Sequence, residues 1–445
     1  MSNLEKFGTV RGMRDLIGSD ANSFRFIIRK LEKLALDYGY NFLETPILEK
    51  TSLFVKGIGE ETDVVGKEMF SFLDRSENSL SLRPEGTAST VRALISNNLT
   101  QDLPQKLFYY GPMFRYDRPQ KGRYRQFYQF GIECIGSDSP ISDVEIIAFT
   151  KSALDELKIH AKLIVNTVGD KETREKYKQV LVEYLKKYEK DLSEDSVRRL
   201  KENPLRILDS KDSGDKKICE GAPLIFDYLS ANAINFISQV TKGLKTLGIE
   251  YDYTQRLVRG LDYYDHTVFE FIDQDGLALC GGGRYNSLVK NLEGPDISAV
   301  GMAFGVDRLI VACGDKYGSS GIKIAVLNVT EAELYEAFKI ATDLRTKSIG
   351  SILFPTHDKL TKKLRYCDKA DVLLAIIIGE DEVKTKTVNI KFLKDLGEFK
   401  AGQEISQNEE DCEEFIFDLL VDDCIDEELR GLFEDKEEEE EEENE

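Results

Sequence analysis

Apolar residues recur at helical spacing from Phe24 to Tyr38, with Ile27, Ile28, Leu31, Leu34 and Ala35 between them and Gly39 closing the run. That spacing predicts an amphipathic helix with Ser19 or Asp20 as its N-cap. The next ten residues, NFLETPILEK from Asn41 to Lys50, read as a strand whose Pro46 belongs at an edge or interface. From Gln126 to Glu133 the period drops to two. Phe127, Gln129 and Gly131 alternate with Tyr128, Phe130 and Ile132, so Gln129 and Glu133 share one face of a strand. Between about residues 168 and 233 the chain turns helical and charged, with Lys and Glu at i,i+4 spacing, as in an inserted helical domain. Beyond Gly321 the apolar runs IKIAVLNV, SILFP and VLLAIIIG alternate with helical patterns at Ala332 to Lys347 and Lys359 to Cys367, which predicts a small α/β domain with buried strands.

Composition bounds this picture. With 445 residues, 41% of them hydrophobic, the chain has material for two or three cored domains. The formal net charge of −21 argues against a nucleic-acid partner until its placement is seen: Glu409 to Glu445 hold 21 acidic and 2 basic residues, which leaves only −2 on the preceding 408. A near-neutral body can carry a local basic face for a polyanion. The run from Glu437 to Glu443 reads as disordered. Seven cysteines without a CxxC pair imply reduced thiols, and three scattered histidines imply no metal site. No apolar run approaches the roughly 20 residues needed to span a bilayer, and the first residues lack the apolar core of a signal peptide. A cytoplasmic protein without membrane contact is expected.

The chemistry is concentrated in short stretches. Ahead of the two-faced strand, Arg115, Arg118, Lys121, Arg123 and Arg125 oppose a single Asp117, and Pro119 with Gly122 places a turn among them. Arginine's planar fork suits phosphate and carboxylate, although a basic hairpin by itself is most often solvated surface. LRPEGTAST from Leu82 to Thr90 sets Glu85 in a turn before a helix whose capping hydroxyl is expected from Thr87. LVRGLDYYDHTVFE, from Leu257 to Glu270, puts Arg259 on a turn before Tyr263 and Tyr264, which alone would read as core aromatics. CGGGRYNSLV from Cys280 has three glycines, suited to close approach of a backbone to a ligand. GMAFGVDRLI from Gly301 reads as a strand turning into a helix that carries Arg308.

Taken together these strings resemble the class II aminoacyl-tRNA synthetases. FRYDRPQKGRYRQFYQFGIE is similar to their motif 2, the helix and proline strand near residue 46 to motif 1, and GMAFGVDRLI to motif 3. RPQKGRYRQF, RPEGT, LVRGLDYY and CGGGRY resemble the histidine-specific branch of bacterial type. The resemblance covers about residues 8 to 400. It implies an α/β chain: an α+β catalytic domain over residues 1–320 built on an antiparallel sheet flanked by helices, with the insertion at about 168–233 closing over the acceptor end of tRNA. A three-layer α/β anticodon-binding domain would follow over 321–430, then an acidic disordered tail at 431–445. It further implies a homodimer, ATP and Mg2+, and the joining of L-histidine to histidine tRNA through histidyl-adenylate.

Roles carried over on the same basis place Glu85, Thr87, Arg115, Gln129, Glu133, Arg259, Tyr263 and Tyr264 around histidine. Glu85 and Thr87 would hold its α-amino group, and Glu133 opposite Tyr264 would match the donor and acceptor of an imidazole. Arg115, Arg123 and Arg308 would bind ATP, with Arg308 stacking on adenine or meeting the distal phosphate. Gln120 and Arg123 would meet the tRNA acceptor stem, and Arg115 with Arg259 would be catalytic at the α-phosphate. Asp265, His266, Asn286 and Ser287 depart from the expected pattern. The other reading is a non-catalytic subunit resembling the regulatory partner of ATP phosphoribosyltransferase, which typically lacks the anticodon domain and degrades the Arg259 signature.

Overall fold

The computed structural model describes residues 7–60, 62–257, 259–317, 324–354 and 358–422, and the chain divides into two compact units, Met1–Tyr317 and Gly318–Glu445. In the first unit the strands are β1 (Asn41–Phe42), β2 (Leu48–Lys50), β3 (Ser71–Leu73), β4 (Ser79–Leu82), β5 (Gln105–Phe114), β6 (Gln126–Ile135), β7 (Lys162–Thr167), β8 (Asp252–Tyr253), β9 (Asp265–Ile272), β10 (Ala278–Arg284) and β11 (Ala299–Gly305). One sheet runs in the order β1-β5-β6-β11-β10-β9-β7-β8. It is antiparallel from β5 through β7 and parallel only where β1 and β8 join its edges.

The period-two pattern decides which face is which. Phe130 and Ile132 of β6, with Val300, Met302 and Phe304 of β11, point to one side and are buried under three helices. These are Gly18–Asp37, Pro140–Glu156 and Ala231–Thr246. Each apolar side chain fully buried there contributes about 1.5–3 kcal/mol. The opposite face is left for polar groups. The first helix buries the predicted stripe, but its N-cap is Ile17 rather than Ser19 or Asp20. Asp20 lies in the first turn and pairs with Arg14 at 2.6 Å, where a carboxylate also meets the positive end of the helix dipole.

Asn41 to Lys50 is not one strand. Its first residues join β5 in the large sheet, while Leu48–Lys50 pairs with β4 in a separate sheet of order β2-β4-β3. Pro46 lies between the two, because proline offers no N–H to a ladder and constrains the residue before it. The insertion contains helices Lys171–Lys186, Glu194–Glu202 and Ser213–Glu220 and the short 3-10 helix Pro204–Asp209. They close on a core of their own that includes Tyr177, Leu181, Leu185, Leu200 and Ile207. Asp215 ties it internally, accepting from the hydroxyls of Ser193, Ser196 and Ser210 at 2.7, 2.6 and 2.6 Å.

The second unit holds β12 (Ile324–Asn328), β13 (Ser351–Leu353), β14 (Leu374–Ile378), β15 (Thr387–Phe392) and β16 (Glu404–Asn408) in the order β13-β12-β14-β15-β16. Helix Leu334–Thr346 packs on the face bearing Ile324, Val326 and Ile376. Helix Leu360–Lys369 packs on the other, bearing Ala325, Leu327 and Ala375, so the unit has three layers. The acidic tail expected at 431–445 lies outside the described residues. Among the described residues no helix is long and apolar enough to cross a membrane.

Candidate active site

The polar face of the large sheet forms the floor of a cavity of about 280 Å3. β6 brings Phe127 and Gln129 to it, β11 brings Gly301, Ala303 and Gly305, and β10 brings Gly281. Glu85, Thr87, Arg115, Arg123, Gln129, Arg259, Tyr263, Tyr264 and Arg308, all expected at the site, line this one space. Glu133 and Gln120 do not. Glycine leaves room for a neighbouring side chain at two positions of the floor. A Cβ on Gly281 would overlap the guanidinium of Arg259, and one on Gly301 would overlap the carboxyl of Glu133.

Four guanidiniums therefore share a small volume. Arg115 directly follows β5; its Nε donates to the Pro84 carbonyl at 2.9 Å and its guanidinium lies 5.4 Å from the Phe127 ring centroid. Arg123 is paired with Asp117 across the turn, and Arg259 with Glu270 of β9. Arg308, in the helix after β11, donates to the Ala278 carbonyl. Burial lowers the pKa of both Arg115 and Arg308, and for Arg308 the nearby Arg123, Arg115 and Arg259 lower it further. Such a cluster is stabilised by a polyanion. Arg125 is not part of it: it stacks 3.6 Å from the Tyr116 ring centroid and donates to the Asp117 carbonyl. Among the described residues no group of three or more metal-binding side chains exists.

Behind this cluster lies a chain of buried acids and hydroxyls. Glu85, the turn acid, is 3% exposed. Its carboxyl accepts the N–H groups of Thr87 and Ala88 at 2.7 and 2.8 Å, so it caps the helix Thr87–Ser96 from outside. The Thr87 hydroxyl, expected as the cap, is thereby released and donates to Glu133 at 2.7 Å. Glu133 also accepts from the hydroxyls of Tyr285 and Tyr109. Full burial pushes its carboxyl up to about 8 despite those donors. Glu133 thus sits one layer beneath the cavity rather than facing Tyr264 across it, because the Thr87 and Tyr285 hydroxyls reach it first. Two buried polar atoms of the wall, Gln129 Oε1 and Arg259 Nε, have no hydrogen-bond partner among the described residues.

Glu270, Tyr285 and Tyr109 were not anticipated as site residues. Glu270 had a signal, as the lone charge within the apolar run from Val268 to Ile272. Three of the four departures from the expected pattern have identifiable local surroundings. Asp265 accepts the Asn286 N–H at 3.0 Å, so two of the altered residues meet each other, and burial pushes the Asp265 carboxyl up to about 6. His266 has φ of 47°, in the left-handed region where glycine is usual. Its ring lies 4.4 Å from that of Phe236, and burial lowers its pKa to about 4, so it is neutral.

Comparison with known proteins gives a consistent result. The family model for histidyl-tRNA synthetase matches residues 12–309, and the model for an anticodon binding domain matches residues 323–408. A histidine–tRNA ligase of Cyanothece sp. is 43% identical over 390 residues, covering 86% of this chain and 91% of its own. One from Neisseria meningitidis is 42% identical over 404 residues, covering 87% and 94%. The crystal structure of apo S. aureus histidyl-tRNA synthetase matches with a TM-score of 0.75 at 30% identity, over 92% of this chain and 99% of that one.

Proposed function

This chain belongs to the histidyl-tRNA synthetase family of aminoacyl-tRNA synthetases, and from that premise we propose that it activates L-histidine with ATP and transfers it to histidine tRNA. The observation that carries the reading is the convergence of four arginines with the orphaned Gln129 carbonyl in one cavity. Gln129 Oε1 accepts from the α-ammonium of histidine, with Glu85 and Thr87 beside it. Arg115 and Arg259 flank the α-carboxylate and the α-phosphate. The carboxylate oxygen attacks the α-phosphorus, pyrophosphate leaves, and the guanidiniums stabilise the charge that grows on the phosphoryl oxygens. Arg123 and Arg308 hold the adenylate and distal phosphates. The hydroxyl of the terminal tRNA adenosine then attacks the adenylate carbonyl and AMP leaves.

Specificity for histidine is assigned to Tyr263 and Tyr264 on the wall and to Glu133 beneath it. Glu133 reaches the imidazole when Thr87 yields its bond, and otherwise acts by orienting the Thr87 and Tyr285 hydroxyls. Magnesium fits here as an ion that arrives on the triphosphate, since it is commonly bound through one or two carboxylates plus substrate phosphates. Glu270 on the cavity wall would hold it only by giving up its pair with Arg259, and the ion would neutralise phosphate charge. Gln120 is exposed on the loop after β5 and, with Arg123, is assigned to the tRNA acceptor stem.

The domain assignments are a catalytic domain over 1–320 with its insertion at about 168–233, and an anticodon-binding domain over 321–430. Exposed Phe42, Ile47, Leu48, Phe72 and Leu73, on or beside the first strands, are assigned to the interface of a homodimer. A regulatory role like that in ATP phosphoribosyltransferase is not favoured, because Arg259 and a match to the anticodon-binding model are both present. Pyrophosphate exchange into ATP tests the proposal with each amino acid in turn. Histidine alone should support it, and equal exchange with another amino acid would end the reading.

A further inference from the structure

Arg259 pairs with Glu270 of the sheet, and among the described residues the backbone segment that carries it is held both by the main body of the unit and by the insertion. The Asn166 side chain donates to the Leu257 carbonyl at 2.9 Å, and the Asp262 N–H donates to the Ile58 carbonyl at 3.2 Å. Stronger bonds come from the insertion. Arg206, in the 3-10 helix Pro204–Asp209, donates through Nε to Asp262 Oδ1 at 2.7 Å and through Nη2 to the Gly260 carbonyl at 2.6 Å. Arg256, at the other end of the segment, donates to the Cys219 and Glu220 carbonyls at the end of helix Ser213–Glu220. Arg259 is thus bracketed on both sides by bonds to the same inserted domain.

The clamp is built from buried parts. Arg206 is 6% exposed, and its neighbours Pro204 and Ile207 are buried, with Ile207 in the insertion's own core. The Cys219 thiol donates to the Ile207 carbonyl at 3.3 Å, which joins the two insertion elements that grip the segment. The insertion also reaches the helical turn Val64–Glu68 at the cavity's rim, through Arg199 to Asp63 and Lys67 to Asp195, both at 2.9 Å. A guanidinium that holds two separate acceptors fixes direction as well as distance.

From this arrangement we infer that Arg206 is a positioning residue for Arg259, so that the insertion sets the geometry of histidine activation as well as any contact with tRNA. The inference rests on the reading of Arg259 given above. A guanidinium that must meet developing charge works only when it is already in place, and displacement of about 1 Å can cost on the order of a hundredfold in rate. Arg206 touches neither nucleotide nor amino acid in this scheme. It acts by holding the Gly260 carbonyl and the Asp262 carboxylate, and through them the backbone that carries Arg259.

The test is single-turnover adenylate formation in the full chain carrying Arg206→Ala, Arg259→Lys or both, alongside the affinity for histidine alone. Arg206→Ala should slow adenylation by at least about tenfold while leaving histidine affinity within about twofold. In the Arg259→Lys background the same change should cost less than about twofold, because residues acting through one another are non-additive. An unchanged rate in Arg206→Ala, or an equal fall in both backgrounds, overturns the inference while leaving Arg259 catalytic. A normal rate in Arg259→Lys overturns the parent reading and this inference with it. Should Arg206→Ala fail to fold, Asp262→Asn removes the same ion pair and must reproduce the slowing, or the inference falls.

Discussion

Replacing Arg259 by lysine isolates what the fork contributes. Arg259 lies against the backbone of Gly281, is paired with Glu270, and keeps a buried Nε without a partner among the described residues. An unsatisfied buried donor costs about 1–3 kcal/mol, a penalty relieved when a ligand oxygen arrives. Lysine retains the charge, so its pairing with Glu270 persists, but it loses both Nε and the planar geometry. With Glu270 holding the ammonium, little of it is left to follow charge developing on the α-phosphate. Losing one preorganised donor of this kind typically costs about 3 kcal/mol, or on the order of a hundredfold in the chemical step. Rapid-quench measurement of histidyl-adenylate should therefore show a fall of about that size in Arg259→Lys, with histidine affinity changed less than about threefold. A normal rate combined with weakened histidine binding would make Arg259 a ground-state ligand and refute the reasoning.

The raised pKa of Glu133, about 8, predicts a pH-dependent stability. The folded state keeps the proton up to about 8 whereas the unfolded chain releases it near 4.3, so stability falls as pH rises through that window and levels off on either side. Glu133→Gln removes this slope, and thermal melts from pH 5 to 8.5 should diverge from wild type steadily as pH rises; parallel curves would show that the carboxyl is ionised in the fold. Gln120→Ala should slow transfer to tRNA several-fold while sparing pyrophosphate exchange, and an equal loss in both steps would assign the loop to ATP.

The features legible in the sequence were those set by local periodicity. The helix stripe from Phe24 to Ala35 and the alternation along β6 each follow from which side chains must leave water, and the β6 alternation placed Gln129 on the cavity face. Chain direction at Pro46 was not legible, since whether a proline bends a strand or divides it between two sheets depends on the partners available. The release of Thr87 from capping was likewise hidden, because Glu85 takes the helix N–H groups only once the turn is buried. Tyr285 and Arg206 are the clearest losses. Their partners are 152 and 56 residues away in sequence, and a distance of that kind is set by sheet order and domain docking rather than by any local pattern.

The position of β11 has a consequence for synthesis on the ribosome. It is the last strand of its unit along the chain, yet it lies in the interior of the sheet between β6 and β10. Until residues 299–305 emerge, β6 presents an open edge that can pair with another chain. At typical elongation rates of about 5–20 residues per second, synthesising the stretch between these two strands takes on the order of 10 seconds or more. The nascent chain must be shielded through that interval. A message truncated before β11 yields two unjoined halves of a sheet, with Gln129 on one and Arg259 near the other, so the two sides of the cavity do not come together.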